Sequence, residues 1–103
     1  HAIGTLVWAS PEQLQRPAKA DKRSDIYAIG IILHELLTGL TPYSDMNIME
    51  TKDAKRLPHN PRELNPDLDE RLSMITIRAT QPDRQRRYQT LDEMTRDLNK
   101  DKI

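Results

Sequence analysis

Few side chains in this sequence are arranged for chemistry. His1, His34 and His59 are scattered, with no pair four apart and no His-Glu-x-x-His, so two imidazoles do not share a helical face over a metal ion. Ser10 lies outside a Gly-x-Ser-x-Gly elbow and is better placed to cap a helix than to act as a nucleophile. Gly4, Gly30 and Gly39 are the only glycines, no two within six positions, so no glycine-rich cradle for a phosphate can be written. Cysteine is absent, which excludes a disulfide scaffold, a Cys-ligated zinc or iron–sulfur site and a thiol nucleophile. Arg78, Arg84, Arg86 and Arg87 could offer phosphate or nucleic acid a basic patch. Without interleaved aromatics or net positive charge, a solvated face with one structural arginine is the better reading.

The elements that must position these groups are helical. Ser10-Pro11-Glu12-Gln13 combines an N-cap serine, proline at the first helical position and glutamine at the third, and Pro17 keeps that helix short. The strongest element runs from Asp25 to Thr38, with Ser24 or Asp25 as its cap and Gly39 as its stop. Ile26, Tyr27, Ala28, Ile29, Ile31, Ile32, Leu33, Leu36 and Leu37 leave it almost no polar face, with His34 expected as a hydrogen-bonded core histidine. A helix apolar nearly all round must be surrounded, and this run is far short of the ~20 residues that cross a bilayer. Residues 47–56 suggest a further helix. A cleaner one starts near Asp67 or Asp69, with Leu68, Leu72, Ile75 and Ala79 on one face and Pro82 beyond its end. The last opens on the capping box Thr90-Leu91-Asp92-Glu93 and places Leu91, Met94 and Leu98 on one side. The fold class is all-α.

Composition sets limits on how such helices are buried. The 103 residues carry 16 Lys+Arg against 16 Asp+Glu, so no overall field draws nucleic acid or anionic membrane. Hydrophobic residues reach 36%, there is no Phe, and the aromatics are Trp8, Tyr27, Tyr43 and Tyr88. That is a thin core for a chain of this size, and few elements are on hand to enclose the apolar helix. No secretory signal opens the chain, and the first residue is His1 rather than Met. The expectation is an incomplete fold whose upstream part is missing.

Taken in order, Gly4-Thr5, Ser10-Pro11-Glu12, the Asp25 to Gly30 stretch of Asp-Ile-Tyr-Ala-Ile-Gly, and the arginine-rich turn from Asp83 to Tyr88 resemble a kinase. The match is to the C-terminal lobe of a eukaryotic-like Ser/Thr protein kinase of the bacterial membrane-receptor type, from Gly4 to about Leu98. The resemblance implies a partial kinase domain over residues 1–103, from the end of the activation segment through the last helices, with the N-lobe and catalytic loop absent. It implies a substrate-side loop at Thr5, Leu6, Val7 and Trp8, with the Thr5 hydroxyl bonded to the catalytic Asp and Lys of the active enzyme. Gly4 would share that loop, and Ser10-Pro11-Glu12 would be the Ala-Pro-Glu motif. Glu12 would pair with Arg87, Asp25 would hold the backbone of the catalytic loop, and Gly30 would allow close helix packing.

The sequence departs from the pattern in three ways. Trp8 replaces the usual Tyr, and Arg84 stands where the family's turn has Pro. There is also no glycine-rich loop, no strand Lys with its helix Glu, no His-Arg-Asp-x-x-x-x-Asn and no Asp-Phe-Gly. Those absent elements carry ATP, Mg²⁺ and the base of phosphoryl transfer. The segment is therefore expected to hold no catalytic, cofactor or metal-binding residue and to be inactive alone, while the intact parent uses ATP and Mg²⁺ on protein substrates. The resemblance also implies a signalling kinase with a cytoplasmic domain, no nucleic acid partner and no membrane contact from this segment, its parent of a kind anchored in the inner membrane. The alternative is a non-catalytic, pseudokinase-like remnant acting as a protein-interaction module.

Overall fold

The computed structural model describes residues 8–40 and 60–100, and among them the chain is helical with no strand. Five helices follow in order: α1 (Pro11–Gln15), α2 (Lys22–Thr38), α3 (Pro61–Leu64), α4 (Glu70–Ala79) and α5 (Leu91–Leu98). Single 3-10 turns occur at Pro17–Lys19 and Arg84–Arg86. The helix expected at residues 47–56 lies outside the described residues, as do Gly4, Thr5, Leu6 and Val7.

Local chemistry explains most of the boundaries. Ser10 and Gln13 form a reciprocal capping box, with Gln13 Oε1 accepting from the Ser10 N–H at 2.7 Å. α1 then stops at Arg16, which proline at position 17 pushes out of the helical region, to φ −144° and ψ 73°. Thr90 and Glu93 cap α5 in the same reciprocal way. Gly39 ends α2 in the left-handed region at φ 80°, its N–H bonded to the Glu35 carbonyl at 2.7 Å. A Cβ there would meet nothing within 4 Å, so any penalty is purely conformational. Gly39→Ala should therefore cost about 1 kcal/mol in urea denaturation, with an unchanged m-value, and Gly39→Asn should cost less.

The central helix starts earlier than its pattern suggests. Its N-cap is Asp21, whose carboxylate accepts from the Arg23 N–H at 2.9 Å, so Ser24 and Asp25 lie inside the first turn instead of capping it. Ser24 is not free to cap, because its hydroxyl is given to Glu12. The helix α3, opened by Asn60 and Pro61, was not expected from the sequence, although asparagine at N-cap with proline at N1 is a start signal.

Ile26 of α2 packs with Ile75 and Ala79 of α4, with Tyr88 from the turn before α5 and with Met94 of α5, and half-buried Leu33 and Leu98 join them. Gly30 is where α2 meets the end of α4. The polar positions Thr76 and Thr80 are buried there because each hydroxyl donates back to the carbonyl four residues earlier, at 2.8 Å. His34 is also fully buried, its Nδ1 2.6 Å from the Leu40 carbonyl, which fixes the proton on that nitrogen.

One expectation about burial is corrected. Leu91, expected beside Met94 and Leu98, is 53% exposed, whereas Met94 is buried. Helical side chains tilt toward the N-terminus, so a residue at the first position reaches past the helix end and not onto its neighbour. Tyr88, in the turn ahead of α5, joins the core instead and donates its hydroxyl to Asp97 at 2.8 Å. Along the central helix Ile32 is 47% and Leu36 77% exposed, and Ile29 is exposed beside them, so one of its apolar sides is left uncovered, in keeping with the few enclosing elements the composition offers.

Candidate functional site: a buried Glu12–Arg87 junction

The best-connected polar group is Arg87, whose side chain is completely buried. Its Nη1 donates to Glu12 Oε2 at 2.6 Å and its Nη2 to Glu12 Oε1 at 2.8 Å, the two-pronged geometry in which guanidinium and carboxylate pair most strongly. The remaining donors go to backbone carbonyls: Nε to Gln81 at 2.6 Å, Nη1 also to Arg23 at 3.0 Å, and Nη2 also to Pro82 at 3.1 Å. The ring of Tyr27 lies 4.9 Å from the guanidinium carbon. Ser24 completes the junction by donating to Glu12 Oε2 at 2.7 Å. One side chain thus ties α1, the start of α2 and the turn before α5 together.

This junction sets the ionisation of Glu12. Burial by itself raises a carboxyl pKa, but the hydrogen bonds from Arg87 and Ser24 outweigh it and lower Glu12 to about 2. A carboxyl depressed in the folded state lends stability at pH values above its ordinary 4.5 and loses it as pH falls toward 2. The loss should be on the order of 3 kcal/mol. Acid unfolding should follow this window, and in Glu12→Gln the slope of stability against pH between about 5 and 2 should flatten; an unchanged slope would show that other carboxyls control it.

A second set of contacts flanks the first. Arg23 donates to both oxygens of Asp21 and, through Nη1, to Gln89 Oε1 at 2.9 Å. Arg84 Nη1 donates to the Lys19 carbonyl and lies 3.4 Å from Asp21. Asp83 caps its turn by accepting from the Gln85 N–H at 2.9 Å, a geometry that arginine at position 84 fits as readily as proline.

The remaining sequence-predicted residues fall elsewhere. Pro11 is buried at the first position of α1, and Trp8 is partly exposed just ahead of it. Gly30 faces Ala79 and Thr80. Asp25 is exposed in the first turn of α2 and makes no hydrogen bond or ion pair with another described residue. Sequence reasoning overlooked Ser24, Arg23 and Gln89; only Ser24 had a local signal, as a hydroxyl at a helix start. Among the described residues no three His, Cys, Asp or Glu side chains converge. No helix among them is long and apolar enough to cross a membrane.

The protein kinase domain model matches residues 1–98 of the chain. The chain belongs to the protein kinase domain family. It is 36% identical over 105 residues to the serine/threonine-protein kinase PrkC of Bacillus subtilis, covering 93% of this chain and 15% of that protein. It is 39% identical over 102 residues to a probable serine/threonine-protein kinase PknB of Lactococcus lactis, covering 93% and 16%. The PknB of Mycolicibacterium smegmatis is 35% identical over 98 residues, with the same coverage. The chain therefore spans about one sixth of the length of the curated relatives it matches. The helical fold is that of part of a kinase C-lobe.

Proposed function

We propose that this chain is the end of the C-lobe of a longer Ser/Thr protein kinase, which transfers the γ-phosphoryl group of ATP, with Mg²⁺, to serine or threonine hydroxyls of proteins. In this reading residues 1–103 supply the substrate-side loop (Thr5 to Trp8) and the scaffold, with Gly4, Ser10, Pro11, Glu12, Gly30 and Arg87 as structural residues, and the N-lobe and catalytic loop come from elsewhere in the protein. The chain alone binds no nucleotide and transfers no phosphate. The protein works in the cytoplasm.

One observation carries the reading. Asp25, Ile29, Ile32 and Leu36, spaced by four, three and four residues, form a single exposed stripe along α2, an anion at its head and apolar side chains below. A solvated helix face does not have that composition. It suits a face packed under further protein whose backbone N–H groups meet Asp25, the role the kinase resemblance gives that residue.

The isolated chain should show no ATP-dependent thermal shift and no phosphorylation of a generic Ser/Thr substrate. The coding sequence upstream of His1 should continue through His-Arg-Asp and Asp-Phe-Gly, and the longer protein should phosphorylate the substrate. Phosphate transfer by the isolated chain would overturn the reading, and a start codon close to His1 would favour a non-catalytic interaction module.

A further inference from the structure

A second site stands beside the Glu12–Arg87 junction, in the groove between the α1 segment, continued by the turn at Pro17–Lys19, and the Pro82–Arg84 turn. The groove encloses about 530 Å³, within the ~300–1,000 Å³ of typical ligand clefts. Arg16, Lys19 and Arg84 line it, brought together from positions up to 68 residues apart. The side chains of Arg16 and Lys19 are exposed and make no hydrogen bond or ion pair with a described residue. Arg84 commits only Nη1, to the Lys19 carbonyl and toward Asp21, and keeps Nε and Nη2 uncommitted.

Of the acids in and beside the groove, Glu12 (lining it) and Asp21 (next to Arg84) are already paired. Both Glu12 oxygens are taken by Arg87, and Asp21 is held by Arg23. Asp83 Oδ1 accepts from the Gln85 N–H, and Asp83 is the remaining acid set against the three cations. In a chain of zero net charge this is a local excess of positive charge lining a concave surface. A single carboxylate would leave part of that excess unmatched. A phosphoryl dianion matches it and offers the oxygens that guanidinium forks grip two at a time.

We propose that this groove binds a phosphoserine or phosphothreonine side chain on an extended segment of a protein partner. The groove's charge and shape do not depend on whether the longer protein is an active kinase.

Calorimetric titration of the purified protein with a short phosphothreonine peptide tests the proposal. Binding should be at least tenfold tighter than for the unphosphorylated peptide, for the same peptide with aspartate at that position, and for inorganic phosphate. It should weaken as salt rises. The Arg16→Ala/Lys19→Ala double variant, which alters only exposed side chains, should lose at least tenfold in affinity with an unchanged melting temperature. Absence of binding, or equal affinity for the phosphorylated and unphosphorylated peptides, would overturn the proposal. So would aspartate-peptide or free-phosphate binding as tight as the phosphopeptide's, which would mean a general carboxylate or free-anion site. Undiminished affinity in the folded double variant would overturn it too.

Discussion

Replacing Arg87 with alanine should cost about 3–5 kcal/mol of unfolding free energy, the largest loss expected from any single substitution in the described structure. The guanidinium is fully buried and supplies five hydrogen bonds, so its removal strands the Glu12 carboxylate together with the carbonyls of Gln81, Arg23 and Pro82. Glu12→Ala should cost more than about 2 kcal/mol, because it leaves a buried cation without its counter-charge. Were Glu12 only an acid in the first turn of a helix, its loss would cost ~0.3–1 kcal/mol, so the two accounts are separable. Arg87→Lys should not rescue, since one ammonium cannot reproduce the fork and the three carbonyl bonds. Chemical denaturation of the purified protein measures all three. A Glu12→Ala midpoint indistinguishable from wild type would refute the pairing as a determinant of stability.

Gly30→Ala should destabilise the protein by about 1–3 kcal/mol, although helix propensity alone would make alanine better than glycine there by ~1 kcal/mol. A Cβ at position 30 would stand 2.7 Å from Thr80 Cγ2 and 2.8 Å from Ala79 Cβ, closer than carbon atoms tolerate. Thr80 cannot simply rotate away without giving up its hydrogen bond to the Thr76 carbonyl. The helices must move apart instead, loosening the contact through which α2 meets α4. Adding Thr80→Ser removes the obstructing methyl, keeps the hydroxyl and should recover part of the loss. A Gly30→Ala variant more stable than wild type would mean that the two helices do not approach as closely as they do here.

Much of the secondary structure was legible because its signals are local. Ser10 with Gln13, Thr90 with Glu93, and Gly39 after a long apolar run each act within one helical turn, through hydrogen bonds and backbone angles a few residues can satisfy by themselves. The ordered kinase-like words were legible too, and with them the residues to examine: Glu12, Asp25, Gly30 and Arg87. Where neighbours compete, the local signals fell short. Asp25 looked like a cap, but α2 begins at Lys22 under Asp21, while Glu12, twelve positions away from Ser24, claims the serine hydroxyl. Leu91 carried the same apolar pattern as Met94 and Leu98, yet its place at the helix end left it in solvent.

The amino-acid sequence alone determined that this protein is helical, where most of its helices start and stop, and that one of them is too apolar to stand by itself. Only the tertiary structure decided that Arg87 also binds three backbone carbonyls, that Ser24 completes its junction, and that Arg16, Lys19 and Arg84 line one groove. The reason is physical: capping and periodicity act over a few residues, whereas ion pairing and burial depend on distances that only the packed chain sets.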